Sequence, residues 1–264
     1  MTDAPTPATQ QADDRSGLPE NENVLYGLMA VLAAGLGVAI YLVRHKLALK
    51  TGILKDSSCN LSSTLNCDAV NTSQYSELFG LPIAMYAIPT YAVMLYLAWT
   101  ALKAVGATDE KDRDSGKIAL TAAAGIGVLT VAHSLYMAYL STAVLGVYCL
   151  FCMSLYAVNI ISAFLAIKAG PGTVGNAISG SIEALTNLKA PVGNAILVLV
   201  IAGGIAYVGQ DMTFEKFDAM AMECTKKGLP PTCHSDGSAG GEQAAPAQVA
   251  GAKQPAAGAQ AAGA

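Results

Sequence analysis

Two cysteine pairs carry the chemistry legible in this chain: Cys59 and Cys67 with seven residues between them, and the C-x-x-C of Cys149 and Cys152. The second pair opens an apolar run of about twenty residues, long enough to cross a bilayer. Three residues are close to one helical turn, so both sulfurs fall on one helix face at the membrane surface. A helix N-terminus presents unpaired N–H groups and the positive end of a dipole, and both favour a thiolate. The first pair lies in a stretch rich in Ser, Asn and Thr, read as loop with a short helix. Asn66 can cap a turn beginning at Cys67, which would lower that thiol's pKa. Two dithiols invite a relay, in which a thiolate attacks a disulfide and a new disulfide is left behind. The loop pair could meet a soluble partner. The membrane pair could meet a two-electron acceptor dissolved in lipid, for which a quinone is the natural candidate. Zinc is the rival for four cysteines, but the C-x7-C spacing fits a tetrahedral site poorly, and no metal is expected. The bland alternative is a non-enzymatic membrane scaffold with structural cysteines.

The elements that must position these residues are membrane helices. Of 264 residues, 53% are hydrophobic and only 13% charged, against roughly 25% charged in soluble domains. No basic patch suggests nucleic acid. The expected fold class is an all-α membrane protein, a four-helix transmembrane bundle plus a fifth transmembrane helix. Residues 1–23 are polar and mostly acidic, lack a basic signal-peptide start, and read as a disordered tail. The first span is Val24–Val43, closed by Arg44, His45 and Lys46. Spans follow at Leu81–Ala101, with Pro82 in its first turn and a kinking Pro89 inside, and at Ile118–Leu140. Lys103–Lys117 is a charged turn between them, and Ser141–Val147 a short connection. The fourth span is Val147–Ile167, residues 169–191 are a connecting loop, and the fifth span is 192–209. Residues 210–264 form a polar tail with a cysteine pair and a low-complexity end.

Five spans place all six cysteines on or near one face of the membrane. Disulfides persist on the outer, oxidising side, so the cysteine loops are placed outside and the N-terminus inside. Lysine and arginine counts do not help. The inner segments carry seven and the outer ones eight, too even to set orientation.

From Val24 to Lys168 the chain resembles the vitamin K epoxide reductase family, especially its bacterial members. The resemblance rests on ordered features: Cys59-x7-Cys67, Asp68, Ser73, and Gly80-Leu81-Pro82 opening the second span. Tyr136 and Leu140 follow, then Cys149-Leu-Phe-Cys152, Tyr156 and Asn159. It implies a four-helix bundle around a quinone (ubiquinone or menaquinone). By the same resemblance, Cys152 reacts with the quinone, Cys149 exchanges with Cys67, and Cys59 completes the loop disulfide. Ser73 would shape the pocket beside the ring, Tyr156 would reach a quinone oxygen, and Asn159 is a further pocket candidate. The partner implied is a soluble thioredoxin-fold protein of the DsbA-like kind, with the site facing the periplasm or outside of an inner membrane. Reduction of a quinone epoxide would use the same cysteines. One departure stands: a polar group often found in the family's second span is missing, and only Tyr86, Thr90 and Tyr91 could replace it.

Other residues carry competing readings. His133, mid-span, is either functional or a neutral interhelical hydrogen bonder, and Asn159 bridges helices as readily as it lines a pocket. Tyr86, Tyr91, Tyr96 and Trp99 read as packing or interface residues. Many bacterial family members continue into a thioredoxin-like domain, for which this tail is too short. Phe214, Phe217 and Ala221 instead sit at helical spacing, ahead of Cys224 and Cys233. That last pair reads as a small structural disulfide or as a built-in shuttle.

Overall fold

The structure is a computed structural model describing residues 22–54, 57, 59–186 and 190–228. The low-complexity end, Cys233 and most of the N-terminal tail lie outside the described residues. Five helices are long and apolar enough to cross a membrane, and the chain is a multi-pass membrane protein. They are α1 (Asn23–Lys50), α3 (Ile83–Val105), α4 (Glu110–Tyr139), α5 (Leu150–Ala169) and α7 (Ala190–Lys226). Two shorter helices, α2 (Cys67–Thr72) and α6 (Val174–Thr186), lie between them.

Small residues let these helices approach closely, as membrane bundles require. A Cβ on Gly127 of α4 would lie 2.9 Å from the Ala163 Cα of α5. One on Gly35 of α1 would lie 2.7 Å from Val158 of α5 and 2.9 Å from the Tyr91 ring of α3. The core filled around these crossings includes Leu25, Leu28, Leu32, Tyr91, Met94, Leu120 and Ala166.

Several boundaries differ from those expected, each for a physical reason. α1 continues seven residues past Val43, because His45 and Lys46 are buried against partners in the following loop. α3 runs unbroken through Pro89. α4 begins inside the charged turn, where Asp109 caps it by accepting from the Lys111 N–H, and Glu110 and Asp112 favour the positive end of the dipole. The connection after α4 is a π-helix, Leu140–Leu145, ended by Gly146 at φ 66°. Residues 174–186 are helical rather than loop. The buried Ala177 and Ala184 of α6 face the bundle, while Ile178, Ile182 and Leu185 remain exposed. α7 does not stop at Gly209. It runs 37 residues, about 55 Å, and carries Phe214 and Phe217 onto Val43, Leu47 and Met85 at the cysteine end of the bundle.

Candidate functional site

The loop between α1 and α3 is folded onto the start of α5. Asn66 N–H donates to the Tyr148 carbonyl (2.9 Å), and Tyr148 N–H donates to the Thr64 carbonyl (2.7 Å). This short parallel bridge sets Cys67, the residue after Asn66, against Cys149, the residue after Tyr148. Asn66 also caps α2, its side-chain oxygen accepting from the Ala69 N–H at 2.8 Å. Cys59 and Cys67 are joined in a disulfide, Cα to Cα 5.7 Å. Cys149 and Cys152 are thiols. Cys59, Cys67, Val70, Val147 and Cys149 form one buried cluster, with Phe151 and Cys152 packed against it.

Cys149 is the N-cap of α5, and its sulfur accepts from the Cys152 N–H at 3.2 Å. It stands just outside the span. Its thiol is lowered from the ordinary value, chiefly by a hydrogen bond from the Cys152 side chain, with the backbone N–H groups of Cys152 and Phe151 adding to the effect. Burial and the Asp68 carboxylate oppose that shift.

A polar underlay fixes the loop. The Asp68 carboxylate accepts from the Ser57 N–H (3.0 Å) and the Asn60 amide (2.7 Å), and lies 3.2 Å from His45 Nε2. Asn71 Nδ2 sits 3.1 Å from His45 Nδ1. The Asn71 amide nitrogen can only donate, so the ring accepts at Nδ1 and carries its proton on Nε2, the nitrogen that faces Asp68. Beside it, Lys46 Nζ pairs with Glu77 at 3.1 Å and donates to the Ser76 hydroxyl. That pairing holds the Glu77 carboxyl below the usual carboxylate range. Glu77 begins a two-strand hairpin, β1 (Glu77–Leu78) and β2 (Leu81–Pro82). Its turn residues Phe79 and Gly80 have φ of 52° and 79°, as a tight primed turn demands. Tyr86 Oη donates to the Leu78 carbonyl (2.9 Å) and ties the hairpin to α3.

Below the hairpin and α2 lies a cavity of about 470 Å³ between α3, α4, the π-helix and α5. Its volume is within the usual range for small-molecule sites. Ser73, Cys152, Tyr156 and Asn159 all stand in its wall, and Cys152 is the one cysteine there among the described residues. Tyr86, Thr90 and Tyr91 line it too, but each hydroxyl already donates to a protein oxygen. Asn159 bridges three helices: it accepts from Tyr91 Oη and donates to Ser134 Oγ, both at 2.8 Å. Ser73 donates to the Val70 carbonyl (2.8 Å). The Tyr156 hydroxyl and the His133 ring line the cavity and have no hydrogen-bond partner among the described residues. The Tyr75 hydroxyl, also in the wall, has no hydrogen-bond partner among the described residues either, and an apolar chamber with three unpaired polar groups and a thiol in its wall fits a quinone ring.

His45, Asn71, Lys46 and Glu77 were not anticipated as a group. The available signal was spacing: His45 and Lys46 fall in the α1 pattern, and Asn71 falls one turn after Cys67. Cys224 is buried near the end of α7, while its expected partner lies outside the described residues. No group of three or more potential metal ligands occurs among the described residues.

No curated protein matches the chain. Residues 26–167, more than half of its length, match the vitamin K epoxide reductase family. The matched stretch holds both cysteine pairs, the underlay and the whole cavity wall. The chain therefore belongs to the vitamin K epoxide reductase family, whose members are oxidoreductases linking thiol–disulfide exchange to a quinone in the membrane.

Proposed function

We propose that this protein generates disulfides: it oxidises a soluble thioredoxin-fold partner and passes the electrons to a membrane quinone, ubiquinone or menaquinone. The observation that carries this is the placing of both cysteine pairs in one buried cluster, with Cys152 alone of them reaching the cavity wall.

The partner's dithiol reduces Cys59–Cys67. The Cys67 thiolate then attacks the Cys149 sulfur of an oxidised C-x-x-C. A Cys67–Cys149 bond forms, the Cys149–Cys152 bond breaks, and Cys152 leaves as thiolate. Cys59 attacks Cys67, restores the loop disulfide and expels Cys149. A thiol of low pKa leaves faster, and the hydrogen bonds on Cys149 serve that step. Two electrons now reside on Cys149 and Cys152. When bound, the quinone supplies a two-electron, two-proton acceptor. Cys152 presents its sulfur to the cavity, and Tyr156, one turn along α5, offers a hydroxyl donor to a ring oxygen. Asn159 holds α3, α4 and α5 together, and Ser73 closes the wall beneath α2.

The test uses reduced, purified protein in detergent with a soluble quinone analogue, without oxygen. Quinone reduction and thiol loss are followed in the unaltered chain and in Cys149→Ser and Cys152→Ser. The expected result is reduction in the unaltered chain and at least about a thousandfold loss in each variant. Equal rates in all three would overturn the proposal.

A further inference from the structure

The loop disulfide is duplicated by a non-covalent link. Cys59 and Cys67 are eight positions apart, and so are the residues that follow them, Asn60 and Asp68. These two residues are bonded twice. Asn60 Nδ2 donates to Asp68 Oδ2 at 2.7 Å, and the Asp68 N–H donates to Asn60 Oδ1 at 3.3 Å. The same Asp68 oxygen accepts from the Ser57 N–H at 3.0 Å. One carboxylate thus grips the chain on both sides of Cys59. Its own position is set from α1. Asp68 Oδ1 lies 3.2 Å from His45 Nε2, and Asn71 Nδ2, beside His45 Nδ1, donates to the Leu42 carbonyl at 3.4 Å. None of these contacts uses a cysteine side chain, so none of them depends on the disulfide being closed.

The relay opens that disulfide. Once Cys67 has attacked Cys149, two thiols compete for the Cys67–Cys149 bond. Cys152 can attack Cys149 and expel Cys67, which undoes the step. Cys59 can instead release its proton to solvent and attack Cys67. The Cys59–Cys67 bond then forms, the Cys67–Cys149 bond breaks, and Cys149 leaves as thiolate with the electron pair. Cys152 is always close, held by α5 with its N–H on the Cys149 sulfur at 3.2 Å. Cys59 lies in no helix or strand. A free segment would have to close the loop again at an entropic cost, and a tie outside the disulfide removes most of that cost in advance.

We propose that Asn60 and Asp68 are positioning residues for the resolving step: they hold Cys59 against Cys67 while the disulfide is open, so that Cys59 completes the exchange before Cys152 reverses it. This rests on the relay reading above. Asp68 also bears on Cys149 through its charge, which opposes the thiolate there. The two effects are separable, because Asn60→Ala breaks the tie and leaves the carboxylate in place.

The experiment mixes the fully reduced full chain in detergent with excess soluble quinone analogue, without oxygen, and follows quinone reduction in time. In the unaltered chain it proceeds in two phases of one equivalent each, first from the C-x-x-C and then from the loop dithiol through the relay. The expected result is that Asn60→Ala and Asp68→Ala keep the first phase and slow the second about tenfold or more, from the lost charge-assisted hydrogen bonds. The first phase shows that a variant is folded. Proteolysis supplies the second readout: both variants should be cut faster in the loop when its disulfide is reduced and at the ordinary rate when it is closed. An unchanged second phase in Asn60→Ala, with slowing in Asp68→Ala alone, would assign the effect to charge and overturn the tie. A first phase slowed as much as the second, or faster cutting in both redox states, would show a loop that is merely loosened and would overturn it too. If the unaltered chain reduces no quinone, or only one equivalent, the relay reading fails and the positioning role with it.

Discussion

Cys149 is where sequence and geometry agree most closely. The C-x-x-C spacing at the head of an apolar run already implied a thiolate at a helix N-terminus, and Cys149 is that N-cap. Its lowered pKa stems first from the Cys152 side chain, so removing that donor should raise it. In the reduced protein, the pH at which Cys149 becomes half alkylated should fall below the ordinary thiol value of about 8.5. In Cys152→Ala it should move upward, toward or beyond that value, because burial then acts with less opposition. An alkylation profile identical in both proteins would show that the helix N-terminus acts without the second thiol. Other residues were only partly legible. Asn159 had two readings; its amide bridges three helices, and the residue stands in the cavity wall. Tyr86 and Tyr91 read as packing residues because aromatic side chains in spans usually are. Their places in the wall depend on how three helices converge, which no local pattern encodes. His133 remains one of three unpaired polar groups lining the chamber among the described residues, and spacing alone could not have distinguished it from an interhelical bridge.

At the scale of elements, the loop clamp was the least visible feature. Arg44, His45 and Lys46 look like the end of a span, because charges usually mark the membrane boundary. The helix continues because Lys46 and His45 find Glu77 and Asp68 more than twenty residues later. Such pairing is invisible until the loop is folded. The clamp has a pH signature. Glu77 is held below its ordinary pKa in the folded loop, so its contribution is fully present above the unfolded value of about 4.3 and is lost as pH falls through the lower, folded value. Glu77→Gln leaves Lys46, whose side chain is 5% exposed, without its anion and should cost about 1–3 kcal/mol, discounted because Glu77 itself is 35% exposed. Proteolysis of the hairpin at neutral pH should quicken in that variant. The unaltered loop should open to protease only under acid conditions. Equal cutting of both proteins at neutral pH would mean that the Tyr86 hydroxyl and the strand pairing hold the hairpin unaided.

The whole molecule turns on which side of the membrane the clamp and cysteines face. Composition made the membrane class and the five spans plain, because a bilayer demands long apolar helices whatever their neighbours. The length of α7 and the helicity of α6 were hidden for the opposite reason. α6 is stabilised by the groove on α4 that Gly125 and Thr121 create, and α7 beyond Gly209 by Phe214 and Phe217 docking on α1 and α3. Those helices bring the residues after Gly209 to the cysteine end of the bundle, as an odd number of spans requires. Charge counts are balanced and cannot orient this bundle. On the proposed function, in which the loop pair oxidises a secreted partner, that pair belongs on the outer, oxidising side. In that orientation Asp68, Lys46 and Glu77 would serve an external loop, and the turn before α4 would lie inside. A protease site inserted at the exposed Ser63, beside the loop pair, should be cut in intact cells. One inserted at the exposed Thr108, in the turn between α3 and α4, should be cut only after the membrane is permeabilised. The reverse pattern would place both cysteine pairs in the reducing cytoplasm. The relay would then have to run toward reduction of the partner, with the C-x-x-C drawing electrons from the membrane rather than delivering them.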